Sequence, residues 1–310
     1  MTIIDVAVGV VKDGEGRILI AKRKAHVHQG GLWEFPGGKI ESLEGSEQAL
    51  KRELYEELNI VSLSSVPLIN IKFSYPECNV HLHVREVCEF DGEPIGREGQ
   101  VCRWVTLDEI GRYDFPAANK AILSAIKLGR HYAIIGGEDA QQVMQQLESV
   151  FEQGVKLVQI RVKSLSKQQA EVILKELRIK CEVLGISYLL NSQMPVSRSL
   201  NEGLHLTSMD LMRLTERPEG SAMIAASCHS LEELHKAELL GLDFAVLSPV
   251  METSSHPEAK ALGWQQLTEW LTEVNIPVFA LGGMTRQDSK KAIKCGAQGI
   301  SGISLYVEGA

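Results

Sequence analysis

Three glutamates, Glu53, Glu56 and Glu57, stand at i, i+3 and i+4 in the run Arg52-Glu53-Leu54-Tyr55-Glu56-Glu57-Leu58-Asn59-Ile60. On a helix that spacing puts all three carboxylates on one face. Like charges so placed repel by about 0.2–0.5 kcal/mol per pair on an exposed helix. A bound divalent cation would reverse the sign of that cost, and carboxylates are hard oxygen ligands suited to Mg²⁺ or Mn²⁺. Ahead of the run lies Gly37-Gly38-Lys39-Ile40-Glu41-Ser42-Leu43-Glu44, a glycine turn with one further acid. A metal so held could neutralise a triphosphate and lower the pKa of an attacking water. A neighbouring carboxylate could then take the water's proton. Glu53 and Glu98 are the candidate bases, and Glu56 and Glu57 the candidate ligands.

Several elements must position this chemistry. Leu50, Leu54 and Leu58 recur at i, i+4 and i+8, a stripe that buries one side of the acidic helix and turns the glutamates toward a cleft rim. Ser46 is the expected N-cap. Asn59 closes the helix, and Asn tolerates positive φ better than other non-glycine residues. Upstream, Asp5 to Val11 and Arg17 to Ala21 read as strands flanking the turn Asp13-Gly14-Glu15-Gly16, an expected hairpin. The basic triplet Lys22-Arg23-Lys24, with His26 and His28, sits just before the glycines, where it could meet phosphate or base oxygens. Downstream, strands are expected over 69–75, 80–90 and 101–105, with the loop Gly96-Arg97-Glu98-Gly99-Gln100 between the last two. Asp114-Phe115-Pro116-Ala117-Ala118-Asn119 opens a helix that ends near Leu128. The amide of Asn119 carries a donor and an acceptor together, suited to a purine edge.

The stretch from Gly38 to Ile60 resembles the box of the Nudix hydrolase family, G-x5-E-x7-R-E-U-x-E-E-x-G-U, where U is a bulky aliphatic residue. Gly38, Glu44, Arg52, Glu53, Leu54, Glu56, Glu57 and Ile60 all fit, and Asn59 stands where the family has glycine. Glu34-Phe35-Pro36-Gly37-Gly38-Lys39-Ile40-Glu41, Gly92-Glu93-Pro94, Arg97-Glu98-Gly99-Gln100 and the segment ending at Asn119 extend the resemblance to the MutT branch, which removes oxidised guanine nucleotides, notably 8-oxo-dGTP. The resemblance implies an α/β/α sandwich with a mixed sheet over residues 1–129. It implies Mg²⁺ (or Mn²⁺) held by the Gly37 carbonyl, Glu53, Glu56, Glu57 and Glu98, with Glu53, Glu98 and Arg52 as the catalytic group. The nucleotide would be bound by Arg23, His28, Glu34, Phe35, Gly38 and Asn119, with Asn119 reading the purine edge.

A chain of 310 residues suggests about two domains. The net charge of −8 offers no broad basic surface for a polymeric nucleic acid, so a small phosphorylated substrate is the easier partner. The six cysteines form no C-x-x-C pair, which argues against a zinc knuckle or disulfide framework and for a reducing compartment. No run of about 18 apolar residues occurs, and Met1-Thr2-Ile3-Ile4-Asp5 lacks a basic leader, so a cytoplasmic protein with no membrane association is expected. Oligomeric state is open.

After Leu128-Gly129-Arg130 the pattern changes. Apolar runs at 132–136, 157–162, 187–191, 203–207, 223–228, 244–250, 277–283 and 299–306 alternate with helical periods, which predicts a (β/α)₈ TIM barrel over residues 131–310 lacking a full last helix. Such barrels place their sites at strand C-termini, and Gly282-Gly283-Met284-Thr285 and Ser301-Gly302 fall where phosphate is often cradled. This half resembles the thiamine phosphate synthase family and its TenI-like relatives. The resemblance rests on Gln159-Ile160-Arg161-Val162-Lys163, His205-Leu206 with Asp210, Ser227-Cys228-His229-Ser230 and Leu281-Gly282-Gly283-Met284-Thr285. It implies a ligand site made of Gln159, Arg161, Lys163, Asn191, Asp210, Ser227, His229, Gly282, Gly283 and Ser301, and a thiamine-related phosphate as ligand. It departs from the family at Asn191-Ser192, where synthases carry Asn-Asp with the Asp as a Mg²⁺ ligand. It departs again at Thr207-Ser208 and at Thr253-Ser254-Ser255-His256, where the family has Gly-Gln and Thr-x-Thr-Lys. Losing one of two carboxylates weakens a Mg²⁺ site, which argues against synthase activity. His229 matches the proton-transfer residue of TenI-like tautomerases.

Three readings follow. The chain is a Mg²⁺-dependent 8-oxo-dGTP pyrophosphohydrolase with a degenerate, ligand-binding barrel. Alternatively, it is a thiamine-pathway bifunctional protein that couples a diphosphate hydrolase to a tautomerase or synthase-like barrel. In the third, the barrel is a ligand sensor that controls the hydrolase.

Overall fold

The computed structural model describes residues 3–24, 29–97, 99–162, 165–220, 222–253 and 258–306. The chain divides into two compact units, Met1–Lys127 and Leu128–Ala310.

The first unit is built on β1 (Ile3–Val11), whose alternate residues are apolar on both faces. It pairs antiparallel with β4 (Gly37–Lys39) and parallel with β6 (Asn79–Asp91), and β6 pairs antiparallel with β5 (Val61–Ser74), giving the mixed order β4-β1-β6-β5. A second sheet orders β3 (Trp33–Glu34), β2 (Ile18–Lys22) and β7 (Cys102–Val105) as β3-β2-β7. The expected hairpin between the first two strands is therefore corrected. Its turn forms, with Asp13 N–H donating to Arg17 O at 3.0 Å and a single bridge from Lys12 to Ile18. The strands then part, because β4 and β6 already occupy both edges of β1.

Helix α1 (Ser46–Leu58) lays Leu50, Leu54 and Leu58, all fully buried, onto Ala7, Val11, Leu19 and Val87. Truncating Leu54 to Ala there should cost about 2–5 kcal/mol. The N-cap is Gly45 rather than Ser46, which already lies in the helix, and Gly45 N–H donates to the Gln48 side chain at 3.1 Å. Asn59 ends the helix in the left-handed region at φ 61°, as its type allows. On the opposite side, a 3₁₀ turn (Ala117–Asn119) leads into α2 (Lys120–Lys127), which packs Ile122, Ala125 and Ile126 against Val8, Val10, Ile69 and Val84. Helices thus cover both sides of the sandwich.

The second unit is a closed barrel of eight parallel strands: β8 (His131–Ile135), β9 (Leu157–Ile160), β10 (Ser187–Asn191), β11 (Gly203–Leu206), β12 (Ile224–Cys228), β13 (Phe244–Leu247), β14 (Val278–Ala280) and β15 (Gly299–Gly302). Closure is the pairing of β15 with β8, Ile300 against His131 and Ser301 against Tyr132. Helices α3 (Ala140–Glu152), α4 (Lys167–Leu184), α5 (Ser208–Arg213), α6 (Leu231–Leu239), α7 (Gly263–Leu271) and α8 (Ser289–Lys294) follow strands in turn. Among the described residues no helix follows β15, and none is long and apolar enough to cross a membrane. Residues of alternate parity point inward, so the barrel floor is packed by Tyr132, Leu157, Leu189, Phe244 and Phe279.

Candidate functional site

In the first unit the glycine turn and the acidic helix meet. Gly38 pairs with Ala7 on β1, and a Cβ built on it would fall 2.2 Å from Glu53 Cδ, so only glycine leaves that space to the carboxylate. Gly37, at φ 147°, passes so close to β1 that a Cβ would lie 2.0 Å from Ala7 O.

Arg52 organises the charges. Its guanidinium donates to Glu44 at 2.6 Å, Glu53 at 2.8 Å and Glu56 at 3.2 Å, and also to Lys39 O at 3.0 Å. Glu53 and Glu56 share one nitrogen, Nη1, and are thereby held side by side. These partners, Glu44 first, raise the Arg52 pKa. Hydrogen bonds from Arg52 in turn hold the Glu44 carboxyl below its ordinary range. Glu57 stands at the end of the helix, where the 95–100 loop is fastened. Arg97 N–H and the Gln100 amide both donate to Glu57 O, at 2.9 and 3.2 Å, and Ile95 N–H donates to Leu58 O at 2.8 Å. Glu98, on that loop, lies outside the described residues. Carboxylate oxygens arranged around a glycine turn fit a hard divalent cation such as Mg²⁺.

The residues expected around a nucleotide are placed unequally. Arg23 forms an ion pair with Glu34. Burial raises the Glu34 pKa, and Arg23 opposes that shift. Phe35 is only 3% exposed and stacks on Phe115, with ring centroids 5.3 Å apart. Asn119 is 7% exposed, and among the described residues its side-chain amide has no hydrogen-bond partner. Its side-chain atoms are not among the fully buried, unpartnered polar atoms of the described residues, so the Asn119 amide keeps some contact with solvent and is open to an outside partner. His28, like His26, lies outside the described residues. Two aromatics were not singled out from sequence: Phe115, and Tyr75, whose hydroxyl is bonded to the Ala118 backbone and whose pKa is raised by burial. Tyr75 follows β5, and nothing local marks it as a neighbour of a residue more than forty positions away.

In the barrel, the inward residues turn polar above the apolar floor. Gln159, Asn191, His205, Ser227 and Ser301 face inward toward the strand C-termini. His205 Nδ1 meets the Tyr132 hydroxyl at 3.0 Å and Nε2 meets Ser227 Oγ at 2.9 Å. Burial, then the positive charge of Arg161, pushes the His205 pKa down to about 3, so it is neutral at pH 7. Among the described residues, Ser301 Oγ is fully buried with no partner. Among the described residues, the side chains of Gln159 and Arg161 make no hydrogen bond or ion pair. Burial lowers the Arg161 pKa. Lys163 and residues 254–257 lie outside the described residues. Gly282 and Gly283, at φ 98° and 62°, run against the 249–252 segment, where a Cβ would meet Pro249 at 2.9 Å and Glu252 O at 2.2 Å. His229 Nδ1 lies 2.8 Å from Ser248 O. A carbonyl only accepts, so Nδ1 carries the proton and Nε2 is left as a base.

The barrel's expected metal position does not fit a metal. Asp210 Oδ2 already accepts from Ser192 Oγ at 2.5 Å, Gln193 Nε2 at 2.7 Å and Thr207 Oγ1 at 2.8 Å. Ser192 supplies a hydroxyl where a second carboxylate would be required.

Residues 131–305 match the family model described as thiamine monophosphate synthase, and residues 7–125 match the NUDIX domain model. A provisionally named thiamine-phosphate synthase 2 of Aquifex aeolicus is 36% identical over 186 residues, 59% of this chain and all of that one. The 8-oxo-dGTP diphosphatase of Escherichia coli is 36% identical over 124 residues, 40% of this chain and 96% of that one. The 8-oxo-dGTP diphosphatase of Haemophilus influenzae is 39% identical over 121 residues, 39% of this chain and 89% of that one.

Proposed function

This chain belongs to the Nudix family through residues 7–125 and to the thiamine monophosphate synthase family through residues 131–305, and from that premise we propose that its hydrolase unit converts 8-oxo-dGTP to 8-oxo-dGMP and pyrophosphate, clearing a mutagenic nucleotide. The observation that carries the purine reading is Asn119, a largely buried residue whose amide still reaches solvent. Its donor and acceptor match a purine edge, and Tyr75, bonded to the Ala118 backbone, supplies aromatic surface beside it.

Mg²⁺ held by the Gly37 carbonyl, Glu53, Glu56, Glu57 and Glu98 would neutralise phosphate charge and acidify water. The chain's own residues do the rest. Arg52 holds Glu53 and Glu56 side by side through one nitrogen. Glu53 and Glu98 are the two candidates to accept the water's proton. In this reading Arg23, paired with Glu34, would meet the nucleotide. The decisive test is turnover of 8-oxo-dGTP against dGTP by the full chain with Mg²⁺. A clear preference for the oxidised nucleotide supports the substrate assignment, and equal kcat/KM for the two sinks it.

The barrel, in this reading, binds a thiamine-related phosphate and is no synthase, since the Asp210 oxygen is filled by neutral donors. The unpaired Arg161 guanidinium and Gln159 amide are its anion-facing groups. A second reading is favoured by His229, whose Nδ1 proton is fixed on Ser248 O so that Nε2 can move a proton on a bound thiazole phosphate. Calorimetry of the full chain with thiazole phosphate and thiamine phosphate separates these ideas. Binding without turnover supports the first, tautomerisation lost in His229→Ala supports the second, and no binding removes both.

A further inference from the structure

One polar cluster lies outside the carboxylate face and the barrel mouth. Strands β1 and β6 run parallel with Asp5 directly beside His81 and Ala7 directly beside His83. Because side chains alternate with a period of two, Asp5, His81 and His83 rise from one face of the sheet. Asp5 Oδ1 lies 3.1 Å from His81 Nδ1 and 2.9 Å from His83 Nε2. The two imidazoles are in contact, with ring centroids 4.1 Å apart and an interplanar angle of 45°. The donor atoms of all three residues fall within 4.8 Å of one another.

These three donors stand on paired strands, so the backbone ladder fixes their spacing before any ligand arrives. Two imidazole nitrogens and one carboxylate oxygen at this separation are the donor set of a three-ligand transition-metal site, whose remaining positions go to water or an anion. It is the wrong set for Mg²⁺, which prefers oxygen alone. A competing charge stands on β5, where Lys72 lies across from His81 and the Asp5 carboxylate offsets it, and Arg85, two residues beyond His83, is held by Ser65 and Glu47. The sheet row through His83 runs by way of Ala7 to Gly38, two strands away. At about 4.8 Å per strand, the cluster is about 10 Å from the glycine under Glu53.

We propose that Asp5, His81 and His83 form a binding site for a zinc-class divalent ion that clamps β1 to β6, distinct from the carboxylate face that suits Mg²⁺. An ion bound only by the folded sheet stabilises it by mass action.

The test uses the full chain, stripped of metal and kept in excess Mg²⁺ so that the carboxylate face is occupied. Zn²⁺ is titrated calorimetrically, and Co²⁺ is added separately to read its visible d–d bands. The expected result is one ion per chain, with affinity falling at least tenfold in His83→Gln and in His81→Gln, and with the Co²⁺ bands altered in both. Mg²⁺-dependent turnover in these variants shows that the fold is kept. Asp5→Asn provides a third variant, expected to weaken Zn²⁺ while leaving both rings in place. Absence of Zn²⁺ binding in the unaltered chain overturns the proposal. So does a Zn²⁺ affinity unchanged by the histidine variants, which would place the ion elsewhere, for example on the chain's cysteines.

Discussion

Two acidic sites in this chain are satisfied in opposite ways. On α1, Glu44, Glu53 and Glu56 are gathered by the single cation of Arg52. In the barrel, one oxygen of Asp210 is filled by two hydroxyls and an amide. The first arrangement keeps several negative charges close together and partly exposed, so an arriving cation finds excess charge to neutralise. The second spreads one negative charge over three neutral donors and leaves that oxygen no lone pair for a metal. The presence of an acid at a family position thus says less than the groups that surround it.

The harshest way to break this comparison is Glu53→Gln. If the α1 face works as a charged cluster, losing one carboxylate should lower kcat for nucleotide hydrolysis by about 10²–10⁴-fold, the range of a lost general base, with the circular dichroism spectrum unchanged. Near-native turnover would show that Glu53 is a structural acid like Asp210. Asn119→Ala should act more gently and on a different quantity. It should cut the preference for 8-oxo-dGTP over dGTP by about 10- to 100-fold, on the scale of one bidentate base contact worth about 1–3 kcal/mol. Loss of kcat with the preference intact would place Asn119 in the packing rather than the pocket.

Restoring the missing acid sharpens the contrast from the other side. Ser192→Asp removes the 2.5 Å hydroxyl donor and sets a second carboxylate beside Asp210. Without metal it should destabilise the barrel by about 1–3 kcal/mol, the scale of a lost part-buried hydrogen bond to a carboxylate together with like-charge repulsion. Mg²⁺ should return much of that loss. Hydrogen exchange of peptides from β10 through α5 reads the effect locally, apart from the first unit. If Mg²⁺ leaves the variant unprotected, the neutral donors are not what keeps the ion out.

Much of this was legible in the sequence because the signals were local. The Leu50, Leu54, Leu58 stripe and the left-handed Asn59 follow from helix geometry alone. The eight barrel strands follow from short apolar runs between helical periods. The unread parts depend on which strands become neighbours. No spacing rule brings Asp5 beside His81, because their pairing is set by β1 docking parallel to a strand that begins at Asn79. The parting of β1 and β2 has the same origin. Ser192 could be recognised as a departure from the family, but that its hydroxyl would fill Asp210 depends on the turn after β10 meeting the start of α5.

The mildest prediction concerns that same Asp210. Ser192 above all, with Gln193 and Thr207 and against some burial, holds its carboxyl below the ordinary value of 3.8. A carboxyl whose pKa is lowered by folding stabilises the fold above its unfolded pKa, and that contribution is lost as pH falls through the folded value. Asp210→Asn should therefore lower the thermal midpoint of the barrel by a constant small amount from pH 7 down to about 4.5. The gap to the unaltered chain should close only below the ordinary carboxylate range. Mg²⁺ should leave the unaltered curve where it is, because a single carboxylate with one oxygen already accepting three hydrogen bonds makes a poor Mg²⁺ site. A gap that closes nearer neutrality, or one that widens when Mg²⁺ is added, would mean that Asp210 is still a metal ligand and that the two sites differ in degree only.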